Sequence, residues 1–337
     1  MGFGISKTIY MKLVRSLVYR FKVFLIKLKV VVVIPHALKN IIFLYKFKKE
    51  HDNIAIVILC EHIGDIITCE PVSSYLKIER GKNVVWIVRK SYMSIFSLFE
   101  NVDLVLDVDC LSECIVMSLF MRSLEIHNLH FDSRVCTKYG LKLHNNNHIY
   151  SMNNYYYHGS ILETFSTVGN LPPLKKRPNL LLSKEDRFSE LKSNFVAIHL
   201  DANEDSRKWG INKWENFLKA YPNIRFVEIG ITPHLSHVSN CDSSFCGNLS
   251  LIDIAYLIDK CSAFVGIESS VAHYANALGK LSLIMIGKYR NFDYYVPYSE
   301  WDENFYMIHY NGFVKDLPLS ILLDEFNKKI LPYLKAE

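Results

Sequence analysis

The chain has 337 residues, of which 50% are hydrophobic and 22% are charged. This length allows two domains with full cores, and the composition argues against a largely disordered chain. The formal net charge of +5 is too small to indicate nucleic-acid binding, and we predict no nucleic-acid partner.

No Cys-x-x-Cys pair occurs among the eight cysteines. Several of them lie in apolar runs that are typical of strands, which suits buried free thiols in a reducing compartment better than a disulfide framework. They therefore favour a cytoplasmic protein. The eight cysteines are Cys60, Cys69, Cys110, Cys114, Cys136, Cys241, Cys246 and Cys261.

The first 50 residues form a basic, apolar leader. Residues 1–49 contain eleven Lys or Arg and no Asp or Glu. Drawn as a helix at about 100° per residue, residues 12–29 place most basic side chains on one half of the wheel and most apolar ones on the other. This pattern is typical of a helix at an anionic membrane surface; the alternative is a helix packed on its own protein. Lys22, Lys27 and Lys29 interrupt the apolar run and disfavour a membrane-spanning helix.

From residue 53 onward, short apolar runs alternate with helical patterns. This order predicts a parallel sheet of the Rossmann type. The predicted strands are 54–59, 83–88, 103–106 and 128–131, and the predicted helices are 66–78, 92–99, 111–126 and 160–168.

A second alternating series follows the proline-rich stretch 171–178, which is the best candidate for a linker. The predicted strands are 195–200, 224–229, 263–267 and 282–286, and the predicted helices are 213–220, 251–260, 271–278 and 317–333. Two Rossmann-like halves predict a cleft between them, with ligands beyond the carboxyl ends of the strands.

The stretch 61–71 joins the first predicted strand to the first predicted helix. It reads EHIGDIITCEP and contains Asp65 at the turn. An aspartate here is commonly a helix N-cap. A carboxylate at this turn also faces the predicted cleft, so a catalytic role is the alternative and is compatible with capping.

Two further stretches follow strand ends in the second half. Arg207 and Lys208 follow strand 195–200, where cations can hold phosphate oxygens; the alternative is a solvated basic pair.

The third stretch reads GIESSVAH. Ser269 and Ser270 begin a helix there and form an anion site of hydroxyls and backbone N–H groups. Glu268 precedes them. His273 lies one turn in, where the alternative is a helix histidine with structural partners.

Together these elements resemble glycosyltransferase family 9, the lipopolysaccharide heptosyltransferases, over roughly residues 53–290. The matching elements occur in the order of the family pattern. They are Gly64-Asp65 with Pro71, Lys208-Trp209 with Trp214, Gly247-Asn248-Leu249-Ser250-Leu251, Glu268-Ser269-Ser270-Val271-Ala272-His273, and Ala275-Asn276-Ala277-Leu278-Gly279-Lys280. This chain has Glu268 where the family has aspartate and Ser270 where it has glycine.

The resemblance implies an α/β protein of the GT-B fold, with two facing Rossmann-like domains and, here, an N-terminal basic amphipathic helical extension. The implied divisions are a leader (1–50), an acceptor domain (51–178), a nucleotide-sugar domain (179–316) and a last helix (317–337) that packs back on the acceptor domain. The implied reaction is inverting transfer of a sugar, such as heptose, from a nucleotide-diphosphate donor to a lipopolysaccharide or related surface-glycan acceptor.

On this hypothesis Asp65 is the general base on the acceptor hydroxyl. Donor-binding residues are Arg207, Lys208, Glu268, Ser269, Ser270 and His273. On this hypothesis, cations and a helix N-terminus balance the negative charge of the donor phosphates, so we predict no cofactor and no metal. Asp107-Val108-Asp109 spells a metal-associated DxD pattern, but it lies far from the donor half in the sequence.

The leader and the lipid-linked acceptor together predict a cytoplasmic protein that is peripheral on the inner face of the inner membrane. Two alternatives remain open at this point. One is a sugar-nucleotide epimerase or hydrolase with two Rossmann-like halves, and the other is a non-catalytic membrane-bound subunit for glycan assembly.

Overall fold

The structure is a computed structural model, and it describes residues 31–334 apart from residues 146, 186 and 193. A four-stranded sheet organises its N-terminal lobe. Its strands are β1 (Ile54–Ile58), β2 (Asn83–Arg89), β3 (Leu104–Val108) and β4 (Glu125–Asn128). Their spatial order is β3-β2-β1-β4, and all pairings are parallel.

A six-stranded sheet organises the C-terminal lobe. Its strands are β5 (Val196–His199), β6 (Phe226–Glu228), β7 (Cys241–Asp242), β8 (Ala263–Ile267), β9 (Ser282–Ile286) and β10 (Phe305–His309). Their spatial order is β10-β9-β8-β5-β6-β7, again with parallel pairings. The two parallel sheets confirm the prediction of two Rossmann-like halves.

Helices connect the strands and cover the sheets. They are α1 (Ile34–Glu50), α2 (Ile63–Thr68), α3 (Glu70–Ser74), α4 (Leu111–Phe120), α5 (Ile161–Val168), α6 (Ile211–Lys219), α7 (Leu251–Lys260), α8 (Ser270–Ala277) and α9 (Leu319–Lys329). A π-helical turn, Tyr75–Glu79, follows α3, and a 3-10 segment, Lys90–Leu98, follows β2. Capping boxes begin α5 at Ser160 and α7 at Ser250, so both starts are fixed by local sequence.

The central strand β1 is buried on both faces, as an unbroken apolar sequence predicts for a parallel sheet. Ala55 and Val57 pack in a core that continues into the C-terminal lobe. Ile54, Ile56 and Ile58 pack on the opposite face with α1 and α4. The carboxyl end of β1 is therefore held rigidly from both sides, and it carries the turn into α2.

The helix α1 is part of the leader and packs on the N-terminal lobe. Ala37, Ile41 and Leu44 are buried in the core beside α4. Asn40 is buried too, and its Nδ2 donates to the Asp107 carbonyl oxygen at 2.6 Å. The predicted amphipathic helix 12–29 lies outside the described residues. In residues 31–334, no helix combines the length and the apolar character that a membrane crossing requires.

The prediction of a helix over 111–126 and a strand over 128–131 is wrong in its boundary. Helix α4 ends at Phe120, and β4 already begins at Glu125. Leu124 and Ile126 extend the apolar pattern of the helix, but they reach the same core from a turn and a strand. Because the helix and the strand pack on the same core, their apolar patterns join in the sequence and hide the boundary between them.

The last helix does not pack back on the N-terminal lobe, which corrects the expectation for residues 317–337. Leu322 and Phe326 of α9 are buried in the core of the C-terminal lobe. The Phe326 ring lies 5.1 Å from the ring of Phe217 on α6, centroid to centroid. The apolar face of α9 therefore finds its partner within its own lobe.

Candidate active site between the two lobes

The turn after β1 places Asp65 at the junction of the lobes. Helix α2 begins at Ile63, and its N-cap is His62, which has a φ of 61°. Asp65 stands in the first turn and is not the cap. A non-glycine residue at positive φ costs about 1–3 kcal/mol, and such conformations concentrate at functional sites.

The carboxylate of Asp65 is surrounded by charged groups from both lobes, although part of its surface stays open to solvent. Burial raises the pKa of this carboxyl, and His62, Arg134 and His273 oppose that effect. Glu268 of the other lobe adds to the rise. A raised pKa in a cleft is a property of general bases and acids.

An ion-pair network that the sequence did not predict flanks Asp65 in the N-terminal lobe. The carboxylate of Glu61 accepts from Arg89 Nη2 at 3.1 Å and from Arg134 Nη2 at 2.7 Å. Arg134 Nη2 also donates to His62 Nε2 at 2.8 Å. Because Arg134 lies 72 residues from His62, no local pattern could have revealed it. The network fixes the residue that precedes α2.

Helix α2 packs directly on α8 of the other lobe. A Cβ on Gly64 would lie 2.9 Å from His273 Cδ2 and 3.4 Å from Ser270 Cα, so only glycine leaves room for this approach. Thr68 Oγ1 donates to the Gly64 carbonyl oxygen and lies 2.9 Å from His273 Nδ1. The Thr68 hydroxyl therefore joins the backbone of α2 to the His273 ring of α8. Thr68 is not among the predicted site residues, although it follows Gly64 by four residues and helical spacing places the two on the same face of α2.

Glu268 binds Arg207 across the mouth of the C-terminal sheet. Arg207 Nη1 donates to Glu268 Oε2, and both side chains are largely buried. His273 Nε2 lies 3.6 Å from the other oxygen of Glu268. Burial raises the pKa of the Glu268 carboxyl, but Arg207 and His273 outweigh burial and lower it to about 2. Glu268 is therefore a fixed anion that holds Arg207 in place.

The other predicted donor residues lie around this pair. Ser269 is the N-cap of α8, and its hydroxyl accepts from the Ala272 N–H. Ser270 is the first residue of α8 and faces Gly64. Lys208 is 45% exposed and pairs with Asp205 at 3.0 Å. The structure thus brings Asp65, Arg207, Glu268, Ser269, Ser270 and His273 to one junction and leaves Lys208 at its solvent side.

Aromatic side chains wall the junction. Arg207 stacks 4.8 Å from the centre of the Tyr289 ring, and Tyr156 packs on Tyr295 at 4.5 Å between ring centroids. Tyr156 comes from a stretch without a periodic pattern. The buried hydroxyls of Tyr295 and Tyr298 and the Nε of Arg207 have no hydrogen-bond partner within the described residues. Buried polar atoms without partners point to a ligand or water that would satisfy them.

Within the described ranges, no group of three or more His, Cys, Asp or Glu side chains could hold a metal ion. The DxD pattern lies away from this junction. Asp107 Oδ2 lies 3.7 Å from His36 Nε2 on α1, and Asp109 forms an ion pair with Lys138.

Sequence comparison finds a known protein family mainly in the C-terminal half of the chain. Residues 170–311 match the family model of glycosyltransferase family 9 (heptosyltransferase). No curated protein matches the sequence.

Solved structures share the fold at low identity. A glycosyl transferase of family 9 from Veillonella parvula has a TM-score of 0.64 at 12% identity, covering 83% of this chain and 98% of its own. The Escherichia coli ADP-heptose lipopolysaccharide heptosyltransferase II has a TM-score of 0.62 at 14% identity, covering 83% and 99%. The E. coli heptosyltransferase WaaC with ADP has a TM-score of 0.55 at 11% identity, covering 82% and 99%. The predicted resemblance to glycosyltransferase family 9 is thus confirmed over residues 170–311, and with it the GT-B fold and the prediction of a glycosyltransferase.

Proposed function

We propose that this chain is an inverting glycosyltransferase that moves a sugar from a nucleotide-diphosphate donor to a lipopolysaccharide or related surface-glycan acceptor. Heptose carried by ADP is the donor named for E. coli heptosyltransferase II, and it is our first choice. The N-terminal lobe binds the acceptor, and the C-terminal lobe binds the donor.

Asp65 is the general base in this proposal. Its carboxylate takes the proton of an acceptor hydroxyl, and the hydroxyl oxygen attacks the anomeric carbon of the donor sugar. The bond from that carbon to the diphosphate breaks, and the nucleoside diphosphate leaves with the bonding electrons. A positioned base contributes about 10²–10⁴-fold to the rate. The raised pKa of Asp65 makes its carboxylate a stronger base than an ordinary aspartate.

The leaving diphosphate meets positive charge from the C-terminal lobe. Arg207 is buried and oriented, Lys208 reaches from the solvent side, and Ser269 and Ser270 present the N-terminus of α8. These groups would stabilise the charge that develops on the phosphate oxygens. Glu268 and His273 orient Arg207 and α8. We propose that this set replaces a metal ion.

The observation that carries the proposal is the position of Asp65 where the two lobes touch. The test is Asp65→Asn, which keeps the size of the side chain and removes its charge. We expect transfer, measured by mass spectrometry of the acceptor, to fall by at least about 100-fold. Calorimetry should show unchanged donor binding. Asp324→Asn, on the exposed side of α9, is the matched control.

Near-normal transfer by Asp65→Asn would exclude Asp65 as the base. Conversion of the donor in the absence of any acceptor would instead indicate an epimerase or a hydrolase. No binding of any nucleotide sugar would indicate a non-catalytic subunit.

We also propose a cytoplasmic location, peripheral at the inner face of the inner membrane. The cysteines within the described residues are all free, which suits a reducing compartment. Residues 1–49 supply the basic segment for an anionic membrane surface, where a lipid-linked acceptor is found. Fractionation of cells that express the full chain tests this location.

A further inference from the structure

A strip of apolar side chains lies on and just before α1, on the side away from the N-terminal lobe. Five of them are between 40% and 67% exposed: Val31, Val32, Leu38, Ile42 and Phe43. The opposite side of α1 already anchors the helix in the core through Ala37, Ile41 and Leu44. Packing within the described part of the chain therefore does not use the strip.

The strip continues toward the end of α4. Tyr45 on α1 donates from its hydroxyl to the Phe120 carbonyl oxygen at 3.0 Å. Leu119 and Phe120 are 56% and 52% exposed. Seven of the 19 large apolar side chains that are exposed in the described residues thus lie on this helix pair or just before its first helix. We call these seven residues the outer face: Val31, Val32, Leu38, Ile42, Phe43, Leu119 and Phe120. A concentration of this kind marks an interaction surface.

Apart from Glu50 at its last position, the charged side chains of the same helix are basic. Lys39 and Lys46 line a groove together with Leu38, Ile42 and Phe43. Lys48 and Lys49 follow in the last turn of α1. Residues 1–30, which lead into this helix, contain seven Lys or Arg and no Asp or Glu. The partner must therefore offer both apolar contact and negative charge.

A second copy of this chain fits these charges poorly. Two copies that paired through the outer face would bring Lys39 and Lys46 of each near the same lysines of the other. Like charges at close range oppose association. An anionic lipid bilayer meets both requirements, because its headgroups attract lysines and its acyl boundary accepts apolar side chains.

We propose that the outer face docks the N-terminal lobe onto an anionic lipid bilayer. This inference deepens the membrane-associated location in the proposed function and rests on it. It adds that α1, which is packed rigidly on the lobe that carries Asp65, makes the contact in addition to residues 1–30. The bilayer contact then fixes the orientation of the N-terminal lobe relative to the membrane.

The test uses the purified full chain and two kinds of vesicle: phosphatidylcholine alone, and phosphatidylcholine with phosphatidylglycerol in equal parts. Binding is measured by co-sedimentation. We expect the wild type to prefer the anionic vesicles. The variant Lys39→Gln/Lys46→Gln should bind them about 30-fold more weakly, since each lysine near the surface contributes about 1 kcal/mol. The variant Ile42→Gln/Phe43→Gln should bind at least about 10-fold more weakly.

Ile149→Gln is the matched control, because Ile149 is 67% exposed and does not belong to the outer face. It should bind as the wild type does. Circular dichroism of every variant checks folding. Asp65→Asn should bind vesicles normally, so the vesicle-binding result can be interpreted even if the proposed transferase activity is refuted.

Three outcomes would overturn the proposal. The first is wild-type affinity in both double variants, which would assign the contact to residues 1–30 alone or show that those residues cover the outer face. The second is equal binding to neutral and anionic vesicles. The third is a dimer in light scattering that Ile42→Gln/Phe43→Gln converts to a monomer, which would make a second copy the occupant.

Discussion

Replacing Glu268 by glutamine tests whether the ion pair at the lobe junction is as strong as its geometry indicates. The pKa of the Glu268 carboxyl falls from 4.5 to about 2 because Arg207 and His273 outweigh burial. A lowering of that size corresponds to about 3 kcal/mol of stability at neutral pH. A lowered pKa contributes stability above 4.5, and that stability is lost as the pH falls toward 2.

We therefore expect Glu268→Gln to reduce the free energy of unfolding by about 3 kcal/mol at neutral pH, and the difference from wild type to disappear near pH 2. Urea unfolding followed by tryptophan fluorescence measures it, since Trp209 lies two residues after Arg207 and is buried. Glu204→Gln is the control. Its ion pair with Arg290 has side chains 34% and 38% exposed, and its loss should cost less than about 1 kcal/mol.

The reasoning would be refuted if Glu268→Gln and wild type unfolded at the same urea concentration at neutral pH. It would also be refuted if the difference in stability persisted unchanged at low pH, because an ion pair cannot act once the carboxylate is protonated.

Four further predictions concern helix α2, two of them its contact with α8 and two the carboxyl of Asp65. Thr68→Val removes the hydrogen-bond partner of the buried His273 Nδ1 and should cost about 1–3 kcal/mol in thermal unfolding, whereas Thr68→Ser should be near wild type. Gly64→Ala should cost about 1–3 kcal/mol by crowding the His273 ring, and combining it with His273→Ala should cost less than the sum of the two single changes. Asp65→Asn should melt higher than wild type at neutral pH but not below pH 3.8, because burial raises the native pKa of Asp65 above 3.8 and stability is lost as the pH rises through that native value. The transfer rate of the wild type should fall as the pH drops through the same pKa; a flat profile there would speak against Asp65.

Local signals predicted much of the fold. The strands Ala263–Ile267 and Ser282–Ile286 and the helix Leu251–Lys260 have the predicted boundaries, because short apolar runs and a capping box mark their ends. The edge strands β7 and β10 were not predicted. Cys241–Asp242 is too short to show a period, and Phe305–His309 mixes buried and exposed positions without alternation.

The candidate site was predictable in its positions but not in its contacts. The sequence placed Asp65, Arg207 and Glu268 at strand ends, and parallel strands bring such ends to one edge of each sheet. The sequence did not show that Glu268 binds Arg207, because 61 residues separate them. The resemblance assigns both side chains to donor binding, but it does not show that the two side chains satisfy each other. Pairings of this kind depend on tertiary structure alone.

On the proposed function, the pairing of Arg207 with Glu268 has a consequence for the catalytic cycle. A donor diphosphate that reached Arg207 would compete with the Glu268 carboxylate, because the guanidinium already has this carboxylate as its partner. Part of the favourable energy of donor binding would thereby be cancelled. After the reaction, the same carboxylate would be in place to take the arginine back and help expel the nucleotide. Such a site would sacrifice affinity for faster product release, and thus for turnover.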